Sequence, residues 1–228
     1  MNLKQAMLER HSVRSYSDKP ITGETKEKLT AFIDEQNKQS GLHMQLITDE
    51  PKAFANILCH YGLFRGVKNY IALVGPEEDE EKLKELCGYY GEKVVLYAQT
   101  IGLNTCWVMA TYKKVMDAID VREGEKLLLV IAIGYGKNQG RQHRSKKPDK
   151  VSNLTENSPK WFKNGVFAAL NAPTAVNQQK FMLTLTEGPD GTHKVKAEAP
   201  PGDCTYIDLG IAKYHFELGA GIENFEWI

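Results

Sequence analysis

The stretch NAPTAVNQQKF at residues 171–181 predicts the end of a helix, a turn and the start of a strand. Apolar residues before it recur at the spacing of one helical face: Trp161, Phe162, Val166, Phe167 and Leu170. We expect Pro173 to end this helix, because proline lacks a backbone donor and disfavours helical geometry at the preceding residue. The chain then resumes as a strand at residues 181–186.

The turn within this stretch has the composition of a ligand-binding loop. Thr174, Ala175 and Val176 have short side chains that let a planar ligand approach, and Asn177 and Gln179 offer amide donors and acceptors. An ordinary polar loop between a helix and a strand is the alternative, because such loops are common.

The composition predicts a soluble protein with a real core. The 228 residues are 42% hydrophobic and 25% charged, which fits one large domain or two small ones. Since 29 basic residues balance 29 acidic ones, we expect neither nucleic acid nor a membrane as partner, but a small molecule.

The cysteines and the apolar runs predict a cytoplasmic protein without a bound metal. Cys59, Cys87, Cys106 and Cys204 show no CxxC spacing, which argues against a zinc site and fits reduced thiols. No signal peptide is visible, and the longest apolar run, residues 127–133, is too short to cross a bilayer.

Two clusters of basic residues stand out. Arg10, His11, Ser12 and Arg14 place two guanidinium groups, an imidazole and a hydroxyl within five residues, a donor set that suits a phosphate. The alternative is a solvated basic helix end that complements its own dipole. The second cluster follows the strongest predicted strand, and a solvated loop is its alternative reading: Arg141, Arg144, Lys146 and Lys147.

Periodicity and turn signals predict the remaining elements. We expect helices at residues 3–10, 26–36, 51–61, 89–103 and 114–119. We expect strands at residues 43–48, 69–74 and 126–133. The acidic run at residues 77–81 is typical of a helix start, and Gly102 is expected to end the buried helix. The apolar setting of Cys106 favours a core cysteine over a nucleophile.

The sequence also contains a faint internal echo. MQLITD at residues 44–49 is similar to MLTLTE at residues 182–187, and residues 89–102 are similar to residues 206–219, with Tyr97 matching Tyr214. Two halves, about 1–150 and 151–228, are therefore a hypothesis within one domain spanning 1–228.

Four separated motifs together resemble the FMN-dependent nitroreductase family, over nearly the whole chain. They are RHSVRSY at 10–16 with DKPI at 18–21, GLNTCWVM at 102–109, AIGYG at 132–136 with its basic tail, and APTAVNQQ at 172–179. In ordinary members the last motif follows the second helix, where this chain has EQNKQSG at 35–41. The displaced motif resembles the subgroup named after a Thermotoga nitroreductase, in which the C-terminal part supplies the turn.

The resemblance implies an α+β fold, with a central mixed or antiparallel sheet flanked by helices. It also implies FMN as cofactor, with Arg10, His11, Ser12 and Arg14 on its phosphate and ribityl chain, and Arg144 and Lys146 closing on the same phosphate. The flavin ring would be lined by Pro173, Thr174, Ala175 and Asn177, with Gln179 a weaker candidate. Met109 and Ala110 fall where the family offers a backbone N–H to flavin N5, although many members have glycine there.

The activity implied is ping-pong transfer of a hydride from NADH or NADPH, through flavin N5, to a nitroaromatic, a quinone or a similar acceptor. No catalytic acid or base is required of the protein, and Arg14 and Lys180 are both candidates to stabilise the reduced flavin near N1. Ordinary members are homodimers, whereas the echo suggests that one chain imitates such a dimer as a monomer. Two alternatives stay open: a dehalogenase-like or flavin-consuming relative, and a non-enzymatic binding module for another phosphorylated ligand.

Overall fold

The computed structural model describes residues 1–55, 61–188 and 191–228, which form two compact units. The first unit comprises residues 1, 9–83 and 94–142, and the second comprises residues 2–8, 84–93 and 143–228.

A four-stranded antiparallel sheet forms the centre of the first unit. Its strands are β1 (Gln45–Ile47), β2 (Tyr70–Pro76), β3 (Asn104–Val108) and β4 (Glu125–Gly134), in the order β1-β2-β4-β3. Every residue of β2 from Tyr70 to Gly75 is buried, so both faces of this strand are covered. This burial explains why β2 and β4 read as continuous apolar runs rather than as alternating patterns.

Helix α2 (Gly23–Ser40) extends beyond the predicted bounds at both ends. It buries Leu29 and Ile33, and it ends where Gly41 adopts a left-handed conformation with φ of 74°. Thr22 occupies the N-cap position, but its side chain makes no capping hydrogen bond.

Helix α3 (Glu80–Thr100) confirms the expectation of a helix that starts in an acidic run. The Asp79 carboxylate accepts a hydrogen bond from the Lys82 N–H at 3.0 Å, which caps the helix. Residues 84–93 of this helix belong to the second unit, where they pack against helix α5 (Thr205–Ala220). A Cβ atom on Gly88 would clash with the Ile207 carbonyl, and one on Gly210 with the Glu85 carbonyl, so the two backbones approach closely.

The second unit also contains helix α4 (Lys160–Ala169) and helix α1 (Leu3–Glu9), except for Glu9, which belongs to the first unit. Its sheet has the strands β5 (Met182–Glu187), β6 (His193–Glu198) and β7 (Glu226–Trp227); β6 pairs antiparallel with β5 and parallel with β7. An aromatic cluster fills the core, with Phe216 lying 5.7 Å from Phe162 and 5.1 Å from Phe225 between ring centroids. Gly165 leaves the space that the Phe216 ring occupies.

Three sequence expectations need correction. The helix expected at residues 114–119 is only a 3₁₀ turn, Met116–Ala118, and the helix at residues 51–61 begins as a 3₁₀ turn, Pro51–Phe54. Residues 56–60 of that second prediction, including Cys59, lie outside the described residues, and Tyr61, at its end, is helical. Phe167, expected on the apolar face of α4, is 54% exposed, because it lies on the side of the helix opposite Gly165 and Val166, which are buried.

The internal echo matches elements of the same kind. β1 and β5 are edge strands of their sheets, and each pairs antiparallel with the next strand. The match does not hold at the helix ends: Gly102 follows α3 with φ of 83°, whereas Gly219 lies inside α5 against Asn164. The division into two halves stays a prediction.

Among the residues with described coordinates, no helix has the length and hydropathy needed to cross a membrane.

Candidate functional site

In the first unit, the segment that carries the first basic cluster is held on both sides by backbone hydrogen bonds. The Val13 N–H donates to the Thr105 carbonyl at 3.0 Å, and the Tyr16 N–H donates to the Arg65 carbonyl at 2.9 Å. The buried Tyr16 hydroxyl donates to the Val13 carbonyl at 2.6 Å, which closes the segment on itself. The basic residues therefore start from a backbone that is already ordered.

Arg10, Ser12 and Arg14 all influence one buried group in this unit, the Cys106 thiol. All three act on the Cys106 thiol and lower its pKa, although burial outweighs them and leaves that pKa above its ordinary value. Arg10 is buried, whereas Arg14 is exposed and its guanidinium forms no ion pair with any residue that the structure describes. Guanidinium groups and a hydroxyl are donors of the kind that phosphate oxygens accept.

The prediction of a core cysteine at position 106 is confirmed. Cys106 is 2% exposed, and a thiol whose pKa is raised by burial carries little thiolate at neutral pH.

The loop at residues 135–140 lies beside the basic segment, and sequence reasoning named only its start, within the AIGYG motif at 132–136. The His11 ring nitrogen Nδ1 lies 3.2 Å from the Gln139 carbonyl. Asn104, which is 6% exposed, orders this loop, since its side chain donates to Gln139 Oε1 at 2.9 Å and accepts from the Gly136 N–H at 3.0 Å. A polar residue that opens an apolar strand was the signal available in the sequence.

Glycines let this loop approach the basic segment. A Cβ on Gly140, whose φ is 72°, would lie 2.7 Å from His11 Cβ. A Cβ on Gly136 would lie 2.9 Å from Val13 Cγ1. Side chains at either position would displace the segment that carries the arginines.

Met109 and Ala110 follow the end of β3, and both are exposed. A backbone contact between these residues and a flavin, which the family resemblance implies, stays a prediction.

In the second unit, the turn after α4 has an unusual backbone. The helix ends at Ala169, as expected from Pro173, and a short 3₁₀ turn covers Ala175–Asn177. Val176, Asn177 and Gln179 have φ values of 44°, 56° and 43°, in the left-handed region that favours glycine. Of the three, only Asn177 is of a residue type that commonly adopts this conformation.

The amides of this turn mostly bind the protein itself. Asn177 Nδ2 donates to the Arg144 carbonyl at 2.8 Å, which leaves its Oδ1 as the open acceptor. Gln179 is 1% exposed, accepts from the Lys146 N–H at 2.7 Å and donates to the Leu170 carbonyl at 3.2 Å. Gln179 thus organises the turn from inside.

The second basic cluster divides between two roles. Arg144 is exposed, and its backbone carbonyl is the one that Asn177 binds. Lys146 Nζ donates to the Gln179 carbonyl at 3.0 Å and, with Lys150 and Lys180, lines a cavity of about 370 Å³. The structure therefore places Lys180, a candidate partner for flavin N1, in the same cavity as Lys146.

Asp208, on α5, is the residue that sequence reasoning missed in this unit. Its carboxylate accepts from the Ala175 N–H at 2.9 Å and from Gln178 Nε2 at 2.7 Å. It is 2% exposed, and desolvation by burial raises its pKa to about 6, against the opposing effect of these two hydrogen bonds. The position of Asp208, about thirty residues after the turn, carried no local sequence signal.

The structure brings Arg10, His11, Ser12 and Arg14 together in the first unit, where Met109 and Ala110 also lie. It brings Pro173, Thr174, Ala175 and Asn177 together with Arg144 and Lys146 in the second unit. No cluster of three or more potential metal ligands occurs in residues 1–55, 61–188 or 191–228.

Similar solved structures share this fold. A crystal structure of "a putative nitroreductase" from Thermotoga maritima matches with a TM-score of 0.64 and 21% identity, over 96% of this chain and 83% of that one. An FMN-dependent nitroreductase from Clostridium difficile matches with a TM-score of 0.52 and 17% identity, over 68% of this chain and 99% of that one.

A third match is "a putative nitroreductase in complex with FMN" from Desulfovibrio desulfuricans. Its TM-score is 0.50 and its identity 18%, over 70% of this chain and 99% of that one. The α+β nitroreductase-like fold expected from the sequence is confirmed. No match was found among curated protein sequences.

A family model described as "Putative TM nitroreductase" matches residues 2–220, which is nearly the whole chain. The resemblance drawn from the four motifs is confirmed, and this chain belongs to that nitroreductase family.

Proposed function

We propose that this chain is an FMN-dependent oxidoreductase that uses NADH or NADPH to reduce a nitroaromatic, a quinone or a similar acceptor. Family membership supports an oxidoreductase of nitroreductase type. Two of the similar structures are described as FMN-dependent or as containing FMN, which supports the same cofactor here. The observation that carries the proposal is the backbone segment of residues 10–16, which hydrogen bonds to Thr105 and Arg65 hold in place and which carries Arg10, Ser12 and the exposed Arg14.

The donor set of the first unit fits the phosphate of FMN. Arg14 is exposed and forms no ion pair within the described part of the chain, so its guanidinium is available to a ligand. Ser12 adds a hydroxyl, and Arg10 adds a second positive charge from a buried position. Charge-assisted hydrogen bonds of this kind are among the strongest that a protein offers to an anion.

The turn of the second unit fits a flat ring. Pro173, Thr174 and Ala175 are short and partly exposed, so no bulky side chain covers this surface. Asn177 offers its Oδ1 to a donor at the edge of the ring, because its NH₂ group already donates to Arg144. We assign Met109 and Ala110 to backbone contacts with the ring, and Arg144 to the phosphate. Lys146 is the weaker phosphate candidate, since its ammonium already donates to Gln179.

FMN, when bound, would supply the transfer of a hydride from NADH or NADPH to the acceptor. The residues named here bind and orient it, and none of them is required as an acid or base, because water can supply the protons.

The proposed stoichiometry is one FMN in a monomer. The echo between the two parts of the sequence, which pairs elements of the same kind, supports a single chain that does the work of a homodimer. Light scattering combined with flavin quantification tests this point, and an obligate dimer that holds two flavins would contradict it.

The activity is tested by following NADH and NADPH oxidation by the FMN-loaded protein, with a nitroaromatic and with a quinone as acceptor. We expect oxidation that depends on both FMN and the acceptor, with parallel initial-rate lines typical of a ping-pong order. A protein that holds FMN but oxidises neither nucleotide would overturn the proposed activity and favour a relative with another chemistry.

A further inference from the structure

The turn at residues 173–179 holds a conformation that its own sequence disfavours. Val176, Asn177 and Gln179 are all left-handed, and none of them is a glycine. A β-branched residue such as Val176 is especially rare there, because its Cβ substituents crowd the neighbouring carbonyl. Backbone of this kind persists only where surrounding contacts determine it, and such places are frequently functional.

One end of the turn is fixed by Gln179. Its buried amide joins the Lys146 N–H to the Leu170 carbonyl, and its own N–H donates to Thr174 Oγ1 at 3.0 Å. These contacts close the loop, and Asn177 Nδ2 ties its middle to the Arg144 carbonyl at 2.8 Å. The Ala175 N–H and the Gln178 side chain are bound by neither contact.

Asp208 binds these two groups. Its two carboxylate oxygens accept from the Ala175 N–H and from the Gln178 side chain, at 2.9 and 2.7 Å. Buried carboxylates are ordinarily paired with a cation, because an unpaired charge in the interior is costly. In Asp208 the two causes that oppose the burial effect on its pKa are the hydrogen bonds from the turn.

The other ionisable groups near Asp208 do not replace this contact. Cys204 lies one turn earlier on the same helix, and Asp208 raises the pKa of its thiol. Lys84 and Asp203 also act on the pKa of the Cys204 thiol. Since the pKa of Asp208 is about 6, its carboxylate is mostly ionised at neutral pH, the form that accepts hydrogen bonds most strongly.

We propose that Asp208 is a positioning residue that holds Ala175 and Gln178 so that the turn presents the shape that receives the flavin ring. The assignment rests on the proposed function. In this scheme Asp208 acts through the turn and does not contact the ligand. The Ala175 N–H is bonded to Asp208 and is therefore not a donor to the flavin. Val176, which is 97% exposed, is thereby fixed at the tip of the turn although it packs against almost nothing.

The test compares FMN affinity in five proteins: wild type, Asp208→Ala, Asp208→Asn, Gln178→Ala and Glu92→Gln. Asp208→Ala removes both acceptors, and we expect FMN to bind roughly ten- to a hundredfold more weakly. Asp208→Asn keeps an acceptor for Ala175 and, after rotation of the Gln178 amide, a partner for that side chain. We therefore expect rescue to within about threefold of wild type. Gln178→Ala removes one bond and should fall between the two.

Glu92→Gln is the matched control. Glu92 is a buried acidic residue of the same unit that lies 2.9 Å from His215 Nε2, so its substitution perturbs the interior through a different contact. Its FMN affinity should stay near the wild-type value even if its melting temperature falls.

Amide hydrogen exchange at Ala175 in the FMN-free protein is a second readout. We expect faster exchange in Asp208→Ala and protection close to wild type in Asp208→Asn. If Asp208→Ala does not fold, Asp208→Asn and Gln178→Ala still decide the inference by rescue and partial loss.

Wild-type FMN affinity and Ala175 protection in both Asp208→Ala and Gln178→Ala would overturn the inference and leave the proposed function intact. If the wild-type protein takes up no FMN, the proposed function fails. Exchange at Ala175 then decides alone whether Asp208 holds the turn.

Discussion

At the scale of single residues, the basic cluster contains one buried arginine and one exposed arginine. Arg10 is 4% exposed and acts with Arg14 on the same buried thiol, whereas Arg14 faces solvent. A guanidinium that already points outward from an ordered segment loses little freedom on meeting an anion. Arg14 is therefore the residue whose removal should report most cleanly on phosphate binding.

We expect Arg14→Ala to weaken FMN binding by about 1.5–3 kcal/mol, because it removes a charge-assisted hydrogen bond. Fluorescence titration of FMN measures the change. Arg122→Ala is a suitable control, since Arg122 is an exposed arginine of the same unit that lies near Asp120. Equal affinities in both variants and wild type would remove Arg14 from the site.

Asp208 gives an expectation about pH. Its pKa in the folded protein, about 6, lies above the ordinary 3.8, so the folded state holds this proton more tightly than the unfolded state. The resulting stabilisation is fully present below about pH 3.8 and is lost as the pH rises through about 6. At neutral pH the buried charge therefore costs stability, by about 3 kcal/mol at most.

Asp208→Asn removes this cost, so we expect the variant to be more stable than wild type at pH 7.5 by about 1–3 kcal/mol, and the gain to shrink towards pH 4. Urea unfolding of both proteins across this range measures the difference in the free energy of unfolding. Contributions from other carboxylates, such as Glu125, are the same in both proteins and drop out of this difference. A gain that grows on acidification would show that the sign is wrong.

Candidate site residues could be predicted from the sequence where they are neighbours along the chain. They could not be predicted where a residue binds a segment that is distant in the sequence. The cluster of Arg10, Ser12 and Arg14 is contiguous, so its donors could be recognised from the sequence alone. Asp208 and Asn104 act on segments about thirty residues away, and nothing near them in the sequence shows which loop they order. Gln179 was considered a ring contact, yet its amide is used inside the protein.

At the scale of elements, the sequence predicted the order around the turn but not its conformation. Pro173 does follow the end of α4, and β5 begins at Met182 as expected. The left-handed conformations of Val176 and Gln179 could not be foreseen, because the usual signal for such a backbone is glycine or asparagine, and only Asn177 among the three is of that type. The helix expected at residues 114–119 is absent for a different reason. A short apolar repeat has too few residues to sustain a helix.

We expect Val176→Asn to raise the free energy of unfolding by about 1 kcal/mol, because asparagine tolerates the left-handed region better than a β-branched residue. Val176 is 97% exposed, so the substitution loses almost no packing. Val176→Ala is the control, since it keeps a Cβ atom and should gain less. A loss of stability in Val176→Asn, measured by urea unfolding, would argue against the strained turn.

At the scale of the whole molecule, the sequence predicted the fold class through a set of motifs rather than through any one of them. The four motifs span the two units, and the family match over residues 2–220 agrees with their combined extent. The apolar runs of β2 and β4 were recognised as strands because both faces of that sheet are covered. The close approach of α3 and α5 at Gly88 and Gly210 was not foreseen, since glycine inside a helix gives no indication of its partner.

The central claim is that this chain binds FMN, and the most direct measurement is the absorbance spectrum of the purified protein, followed by release and identification of the chromophore. We expect oxidised-flavin bands and about one FMN per chain, either as purified or after incubation with FMN, from the donor set at Arg10, Ser12 and Arg14. A colourless protein that also refuses added FMN would contradict the claim and leave the basic cluster as a site for another phosphorylated ligand.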